Sequence, residues 1–323
     1  MTVPFERIQE AELVISSGPH IHKGVVTKDV MQGVMLGLLP CIASSIFFFG
    51  WYSFAMLVVG TGTAMLAEWF VLRMRHRTLS DGSAAIAGTL LALTLPPHFP
   101  LWMVALGSAM AIIIGKQIFG GLGYNIFNPA LVGRAILAAS YPAHMTSWTV
   151  PFTTVTSATP LAAWKFSNVL EPVGNLFWGN VGGCIGETSA IAILVGGIYI
   201  LVRRHADWRI PIGMLGTVAV ASFIATIVTH GSYPGPLWQI CSGGLLFGAL
   251  FMATDPVTTP ITKSGRWLFG GTAGAIVLII RTWGGLPEGV MYSILLMNGL
   301  APLINRLTLV KPFGYVSQSS QGQ

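Results

Sequence analysis

Charge is what this chain of 323 residues has least of: Asp, Glu, Lys and Arg together make up 9%, against about a quarter in water-soluble domains. So little polar surface excludes a chain of this size that stays in water by itself. Cysteine is scarce too. Cys41, Cys184 and Cys241 are odd in number and far apart, with no C-x-x-C and no histidine at zinc spacing, which argues against a cysteine-ligated iron–sulfur or zinc site within this chain. A continuous basic face is missing despite the net charge of +6. Lys and Arg sit in short clusters between apolar runs, as topology determinants do, so nucleic acid is not an expected partner. The start, Met1-Thr2-Val3-Pro4-Phe5-Glu6, lacks a basic n-region followed by an apolar core, and residues 1–28 are expected to be a cytoplasmic lead-in. No serine stands in G-x-S-x-G, and hydrolytic chemistry finds no support.

What the chain does have is apolar length. Hydrophobic residues are 53% and glycines number 39, a composition for which the lipid bilayer is the solvent. Ten candidate spans follow: Val30–Phe49, Trp51–Met74, Ser83–Leu95, Leu101–Phe119, Pro129–Ser140, Glu187–Val202, Ile210–Thr229, Leu237–Ala253, Trp267–Thr282 and Val290–Arg306. With the N-terminus inside, the inner loops collect Arg73, Arg75, Arg77, Lys116, Arg203, Arg204, Arg209, Lys263 and Arg266, followed by Arg306 and Lys311. The outer side receives Lys165 and Arg281. This asymmetry predicts that both termini are cytoplasmic. The Thr/Ser/Gly/Pro-rich connection 141–186 then lies outside, and long structureless connections are usually functional.

The two halves echo each other at a displacement of about 160 residues. Gly88-Thr89-Leu90-Leu91-Ala92-Leu93-Thr94-Leu95-Pro96 lies over Gly248-Ala249-Leu250-Phe251-Met252-Ala253-Thr254-Asp255-Pro256, and Gly120-Gly121-Leu122 over Gly284-Gly285-Leu286. Five spans per repeat is an odd number, so the second repeat would enter the membrane inverted. The bland alternative is that Gly/Ala-rich spans align by composition, with Gly270 and Gly274 only letting helices approach closely. The expected organisation is a first five-helix repeat over 29–140, the outer loop 141–186, a second repeat over 187–307 and a cytoplasmic tail 308–323.

Ionisable side chains within spans are functional hypotheses by default. Asp255 stands in Thr254-Asp255-Pro256-Val257-Thr258-Thr259, where a broken helix would leave carbonyls and hydroxyls to join a carboxylate around a cation. It could equally cap a helix end or pair with Lys263 or Arg266. Glu187 is a second candidate for ion coupling. Glu68 is more readily explained by pairing with a basic residue of another span, and Arg134 either holds a phosphate or flavin charge or pairs with Glu68 or Glu187. Gly115-Lys116-Gln117-Ile118-Phe119-Gly120-Gly121 lacks the G-x-x-x-x-G-K-[ST] pattern and a preceding strand, so no nucleotide site is expected there. His20-Ile21-His22 has no third metal ligand. In Thr153-Thr154-Val155-Thr156-Ser157-Ala158-Thr159-Pro160-Leu161 the residues alone give hydroxyls stopped by a proline: a loop, or the N-cap of a short helix.

Three segments together resemble the NqrB/RnfD family: Ser157-Ala158-Thr159-Pro160-Leu161, Gly120-Gly121-Leu122-Gly123-Tyr124-Asn125-Ile126-Phe127-Asn128-Pro129-Ala130, and Ala253-Thr254-Asp255-Pro256-Val257. The resemblance runs from about Ile15 through Arg306, and the chain length sits closer to the Rnf branch than to the longer quinone-reductase branch. It implies an all-α polytopic protein of about ten transmembrane helices in two inverted repeats, similar to urea transporters. It also implies FMN esterified by a dedicated flavin transferase to the threonine that maps to Thr159, beside Ser157 and Ala158. The family pattern is Ser-Gly-Ala-Thr with an Asp shortly before it; this chain has Thr156-Ser157-Ala158-Thr159 with Thr153 and Thr154 upstream. A non-covalent riboflavin within the helices is implied as well, with contacts that no motif assigns. The implied setting is the bacterial inner membrane, with the flavin loop periplasmic and Rnf subunits of the A, B, C, E and G types as partners. The function expected is that of an electron-carrying subunit of an Rnf-type ferredoxin:NAD+ oxidoreductase coupled to Na+ or H+ translocation. It is an enzyme as part of that complex and not alone. The rival is a passive channel for a small polar solute, which such an architecture would also serve.

Overall fold

A backbone that crosses lipid must satisfy its hydrogen bonds within itself, and each long apolar run of this chain folds as helix. The computed structural model describes residues 27–76, 81–153 and 155–309. His20-Ile21-His22, Thr154, Lys311 and nearly all of the expected lead-in and tail lie outside the described residues. In chain order the helices are α1 (Thr27–Phe49), α2 (Trp51–Met74), α3 (Ser83–Leu93), α4 (Leu101–Ile112, continuing as a wide turn over Ile113–Gln117), α5 (Pro129–Ser140), α6 (Pro142–Met145), α7 (Pro160–Ser167) and α8 (Val173–Trp178). They continue with α9 (Ala190–Val202), α10 (Arg209–Val228), α11 (Pro236–Cys241), α12 (Leu245–Phe247, continuing as a wide turn over Gly248–Met252), α13 (Lys263–Trp283) and α14 (Val290–Thr308). Among the described residues there is no β-strand, only a bridge between Thr149 and Thr156.

By length and composition α1, α2, α10 and α14 can each cross a membrane, beside the shorter apolar α3, α4, α5 and α9. Their outer faces carry exposed Leu36, Phe47, Phe54, Leu66, Phe223 and Leu303, which water would not tolerate in such density and lipid does. The protein is therefore an all-helical, multi-pass membrane protein. α3 is apolar all round, and nearly all of it is buried, as is the run from Leu245 to Met252. These two short elements form the centre.

Small residues set the crossings. A Cβ on Gly88 of α3 would lie 2.5 Å from the Gly60 carbonyl of α2. Gly196 of α9 meets the Gly37 carbonyl of α1, and Gly270 and Gly274 of α13 meet the Ile210 and Met214 carbonyls of α10. Close backbone approach of this kind drives association where lipid removes the hydrophobic incentive, so the packing role foreseen for Gly270 and Gly274 is observed.

Loop contacts sort the helix ends. At one end Tyr52 donates to the Phe99 carbonyl at 3.0 Å, Trp102 packs on Tyr141, and Phe152 packs on Phe47 and Phe48. At the other, Lys116 meets Glu68, and Arg266 meets Asp207. Lys28 shares a surface pocket with Asp81, and Thr308 bonds Thr262. The described chain thus begins and finishes at the Lys116 end.

Several span boundaries move. Leu237–Ala253 is not one helix but breaks between α11 and α12 at Ser242–Gly244, where Gly243 has φ +64°. Glu187 lies before α9, α3 stops at Leu93, and α13 extends from Lys263 to Trp283. The connection 141–186 is not structureless: it carries α6, α7 and α8, pinned by the Thr149–Thr156 bridge.

Candidate functional site

Thr159 owes its place to local chemistry. Pro160 presets the first helical residue, and the Thr159 Oγ1 accepts the Ala162 N–H at 3.2 Å, making it the N-cap of α7. Of the two alternatives left by the residues alone, the helix cap is the one observed. The α7 segment is anchored three ways. Lys165 Nζ donates to the carbonyls of Ile280 (3.1 Å), Arg281 (2.8 Å) and Leu286 (2.9 Å) around the C-terminus of α13, an end that favours a cation. Leu161 fills the space beside Gly243, whose Cβ would come 2.6 Å from Leu161 Cδ1. The Ser157 N–H donates to the Trp148 carbonyl at 2.9 Å. Ala158 is exposed, Ser157 and Thr159 half-buried. Thr159 lines a cavity of about 90 Å³ together with Cys184, Glu187, Thr188, Gly243 and Glu288.

A charged cluster adjoins that cavity. Arg134 of α5 bonds Glu187 through Nη1 at 3.1 Å, approaches Cys184 Sγ at 3.5 Å through Nη2, and stands 3.9 Å from Glu288. The pairing with Glu187, left open by the sequence, is therefore what holds the guanidinium, and it does not line the Thr159 cavity. Glu288 in turn accepts the Gly244 N–H at the start of α12. Arg281, fully buried, donates to the Gln239 carbonyl (2.7 Å), Gln239 Oε1 (2.9 Å) and the Ser242 carbonyl (2.9 Å). The helix break is thus satisfied on both sides: Arg281 takes the loose carbonyls at the C-terminal end of α11, and Glu288 takes the loose N–H before α12.

A second cluster lies at the Lys116 end. Charge asymmetry places Lys116 in an inner loop; instead its ammonium is buried, donating to Glu68 and Ser83 and lying 3.5 Å from Asp81. The reason is geometric. The wide turn over Ile113–Gln117 at the end of α4 swings Lys116 and Gln117 inward, and Gln117 Nε2 donates to the same Glu68 oxygen at 3.2 Å. Glu68 has the cross-span basic partner expected of it.

Lys116 and Ser83 also line a central cavity of about 70 Å³ with Asn125, Asn128, His205, Thr254 and Asp255. Asp255 caps its own turn through the Val257 N–H (3.2 Å) and the Thr258 hydroxyl (3.4 Å). Arg266 is engaged by Asp207 and the Pro260 carbonyl instead. Asn128 Nδ2 satisfies the Met252 carbonyl at 3.2 Å, while Asn298 accepts the Asn128 N–H and donates to the Thr258 carbonyl. Two buried atoms by this cavity, Asn125 Oδ1 and His205 Nδ1, have no partner among the described residues.

Thr159 and Glu187 thus share one cavity, Asp255 lies in another, and Arg134 serves the first only through its carboxylates. Sequence reasoning does not reach Glu288, Asn298, Gln239 or His205. Glu288 lies in a connection between spans, where a carboxylate attracts no notice; the one signal is its place two residues before a span, facing the break.

The family described as NQR2, RnfD, RnfE matches residues 14–314. The chain is 42% identical to the D-type subunit of the proton-translocating ferredoxin:NAD(+) oxidoreductase complex of Clostridium ljungdahlii, over 95% of this chain and 98% of that protein. It is 41% identical to the D-type subunit of the Na(+)-translocating ferredoxin:NAD(+) oxidoreductase complex of Acetobacterium woodii, over 95% and 97%. A third relative, the D-type subunit of the ion-translocating oxidoreductase complex of Stutzerimonas stutzeri, is 39% identical over 88% and 91%. The chain belongs to the NQR2, RnfD, RnfE family.

Proposed function

From that membership and the geometry of the α7 segment, we propose that this chain is the D-type membrane subunit of an ion-translocating, Rnf-type ferredoxin:NAD+ oxidoreductase and carries electrons on FMN esterified to Thr159. The observation that supports the acceptor is its position: a half-buried hydroxyl capping a helix, open to a cavity, on a segment pinned to α13 and to the break before α12. A phosphate on that oxygen would lie at the positive end of α7, which favours it. FMN held there supplies electron-transfer chemistry that no side chain of this protein offers. The chain's own part is positional: Pro160 and the Ala162 N–H orient the ester oxygen, Lys165 and Leu161 fix α7 against the helix ends, and covalent attachment holds the group without a deep pocket. Arg134, occupied by Glu187, orients the cavity wall and does not reach the phosphate.

The central cavity offers polar atoms of the kind a riboflavin edge would meet, in Asn125 and His205. No step is assigned to riboflavin. The proposal includes ten crossings in two inverted five-helix halves, 29–140 and 187–307, similar in plan to urea transporters. It places both termini in the cytoplasm of the bacterium and the 141–186 loop on the outer side of the inner membrane. A flavin transferase and the other Rnf subunits are its partners. Proton- and Na+-translocating relatives are almost equally similar, so overall identity does not choose the ion. The test is intact mass and in-gel ultraviolet fluorescence of the chain co-expressed with a flavin transferase, wild type against Thr159→Ala. An FMN phosphoester that disappears in the variant is the expected result; a colourless wild type, under conditions that modify a known acceptor, would favour the passive-channel alternative.

A further inference from the structure

At the Lys116 end, α10 and α13 carry positive charge where a helix tolerates it least. The two helices run parallel: Gly270 and Gly274 of α13 meet the Ile210 and Met214 carbonyls of α10 in step, so the two N-termini lie side by side. A helix N-terminus disfavours a cation, yet the first turns hold bases and no acid, Arg209 in α10 and Lys263 with Arg266 in α13. The carboxylate that answers them is Asp207, shared between Arg209, at 3.1 and 3.3 Å, and Arg266. Arg203 and Arg204, at the end of α9, and Lys263 are exposed and have no ion pair among the described residues. Positive charge is therefore left over. Topology asks only for basic residues in the connection; it asks neither for two guanidinium groups gathered on one carboxylate nor for what lies beneath them. Trp208 and Trp267 meet edge to face with ring centroids 5.6 Å apart, both exposed, and the Arg209 guanidinium lies 4.8 Å from the Trp208 centroid. One and two turns deeper on the same faces come exposed Ile212, then Gly216, whose Cβ would meet nothing within 4 Å, and, after Trp267, half-buried Gly271. The surface dips there, so a shallow furrow leaves the two indoles along the α10–α13 seam.

We propose that this patch binds one anionic phospholipid. The headgroup phosphate sits among Arg203, Arg209, Lys263 and Arg266, the glycerol lies over the Trp208–Trp267 pair, and an acyl chain follows the furrow past Gly216 and Gly271. The donors suit a phosphodiester: Arg209 and Arg266 each keep N–H groups beyond those given to Asp207 and the Pro260 carbonyl. Asp207 holds the two guanidinium groups together and neutralises only one of them. The occupant is a lipid and not an acidic peptide because the charges rim an apolar surface on which Val202, Ile212 and Val220 are exposed, and a phospholipid supplies the anion and the apolar chain in one molecule. The other arginine stacked on an indole at a helix end, Arg73 at 5.7 Å over Trp69, lies in the last turn of α2, where the dipole favours a cation, and calls for no anion.

This inference does not depend on the flavin or on the translocated ion. The test is native mass spectrometry of the full chain, titrated in detergent with phosphatidylglycerol, phosphatidylcholine or soluble glycerol 3-phosphate. Phosphatidylglycerol should be retained in preference to phosphatidylcholine. Its Kd should rise about fivefold in Lys263→Gln and about fivefold again when Arg203→Gln is added, the effect of roughly one surface charge each, and Lys263→Arg should keep the wild-type value. Gly216→Leu should raise it too, by filling the furrow. Neither Lys263 nor Arg203 holds an ion pair among the described residues, so unchanged melting temperatures are expected and separate lost binding from lost fold. Arg73→Gln should leave the Kd as it is. Equal retention of the two lipids, or the same loss in Arg73→Gln as in Lys263→Gln, would overturn the proposal and leave diffuse interfacial charge. Displacement of the lipid by an equal concentration of glycerol 3-phosphate would overturn the lipid as occupant and leave a site for free phosphate esters.

Discussion

The clusters around Lys116 and Arg134 each set two carboxylates about one base, yet they are built differently. Lys116 reaches Glu68 because a wide turn at the end of α4 rotates it inward, and its neighbour Asp81 is local to the helix it caps. Arg134 sits inside a regular helix, and both of its carboxylates arrive from connections remote in sequence, 53 residues away for Glu187. The cap before α12 is likewise supplied from 44 residues on, by Glu288. In the first cluster the base is the more deeply buried, Lys116 at 3% side-chain exposure against 12% for Arg134, and the second has Arg281 beside it. The lesson is that equal formal charge does not give equal energetics, because desolvation and stand-off charge decide what each pair contributes.

That contrast can be broken most directly at Glu68. Glu68→Gln leaves the buried Lys116 ammonium with only the half-buried Asp81 at 3.5 Å, and a loss of about 3–5 kcal/mol is expected, read as a collapse in thermal stability in detergent. Adding Lys116→Met should recover most of it, since an apolar replacement removes the stranded charge. Arg134→Gln should cost less, about 2–3 kcal/mol, because both of its carboxylates, Glu187 and Glu288, line a cavity; equal losses at the two sites would show that burial does not distinguish them. Gly244→Ala should cost about 1–3 kcal/mol, since its Cβ would lie 2.6–2.8 Å from the Glu187 carboxylate. Gly82→Ala, its counterpart, meets nothing within 4 Å but sits at φ +70°, so it should cost only about 1 kcal/mol, and the same melts separate the two.

The smallest effect should come from a rim cluster at the Lys116 end. Burial pushes the Asp207 carboxyl up, but the Arg209 N–H together with the Arg266 and Arg209 guanidinium groups outweighs it and holds the group below the usual aspartate range. A lowered carboxyl stabilises the fold above its unfolded value of about 4 and loses that contribution as pH falls through the folded value. The melting temperature of wild type should therefore exceed that of Asp207→Asn at neutral pH, and the gap should close below about pH 4. A gap independent of pH would assign the difference to packing.

Much of this is legible from residues alone. Thr159 before Pro160 reads as a helix cap, Gly270 and Gly274 read as contact points, and Glu68 in a span demands a cation; each follows from chemistry within a few residues or from the cost of charge in lipid. The break at Ser242–Gly244 is hidden because an apolar run reads the same whether or not the helix continues. Lys116 escapes charge counting for a related reason: counting places a lysine at the end of a span in the adjoining loop, and a single wide turn reverses that.

Composition and neighbours along the chain suffice for the apolar surroundings, the all-helical class, the apolar lengths and the capping of α7. Tertiary structure alone decided which carboxylate meets which base, that Glu288 closes the second short helix, and that Asn298 joins α14 to α5 and the segment after α12. Those contacts link residues separated by tens to more than a hundred positions, and only the packing of helices through small residues brings them within hydrogen-bonding range.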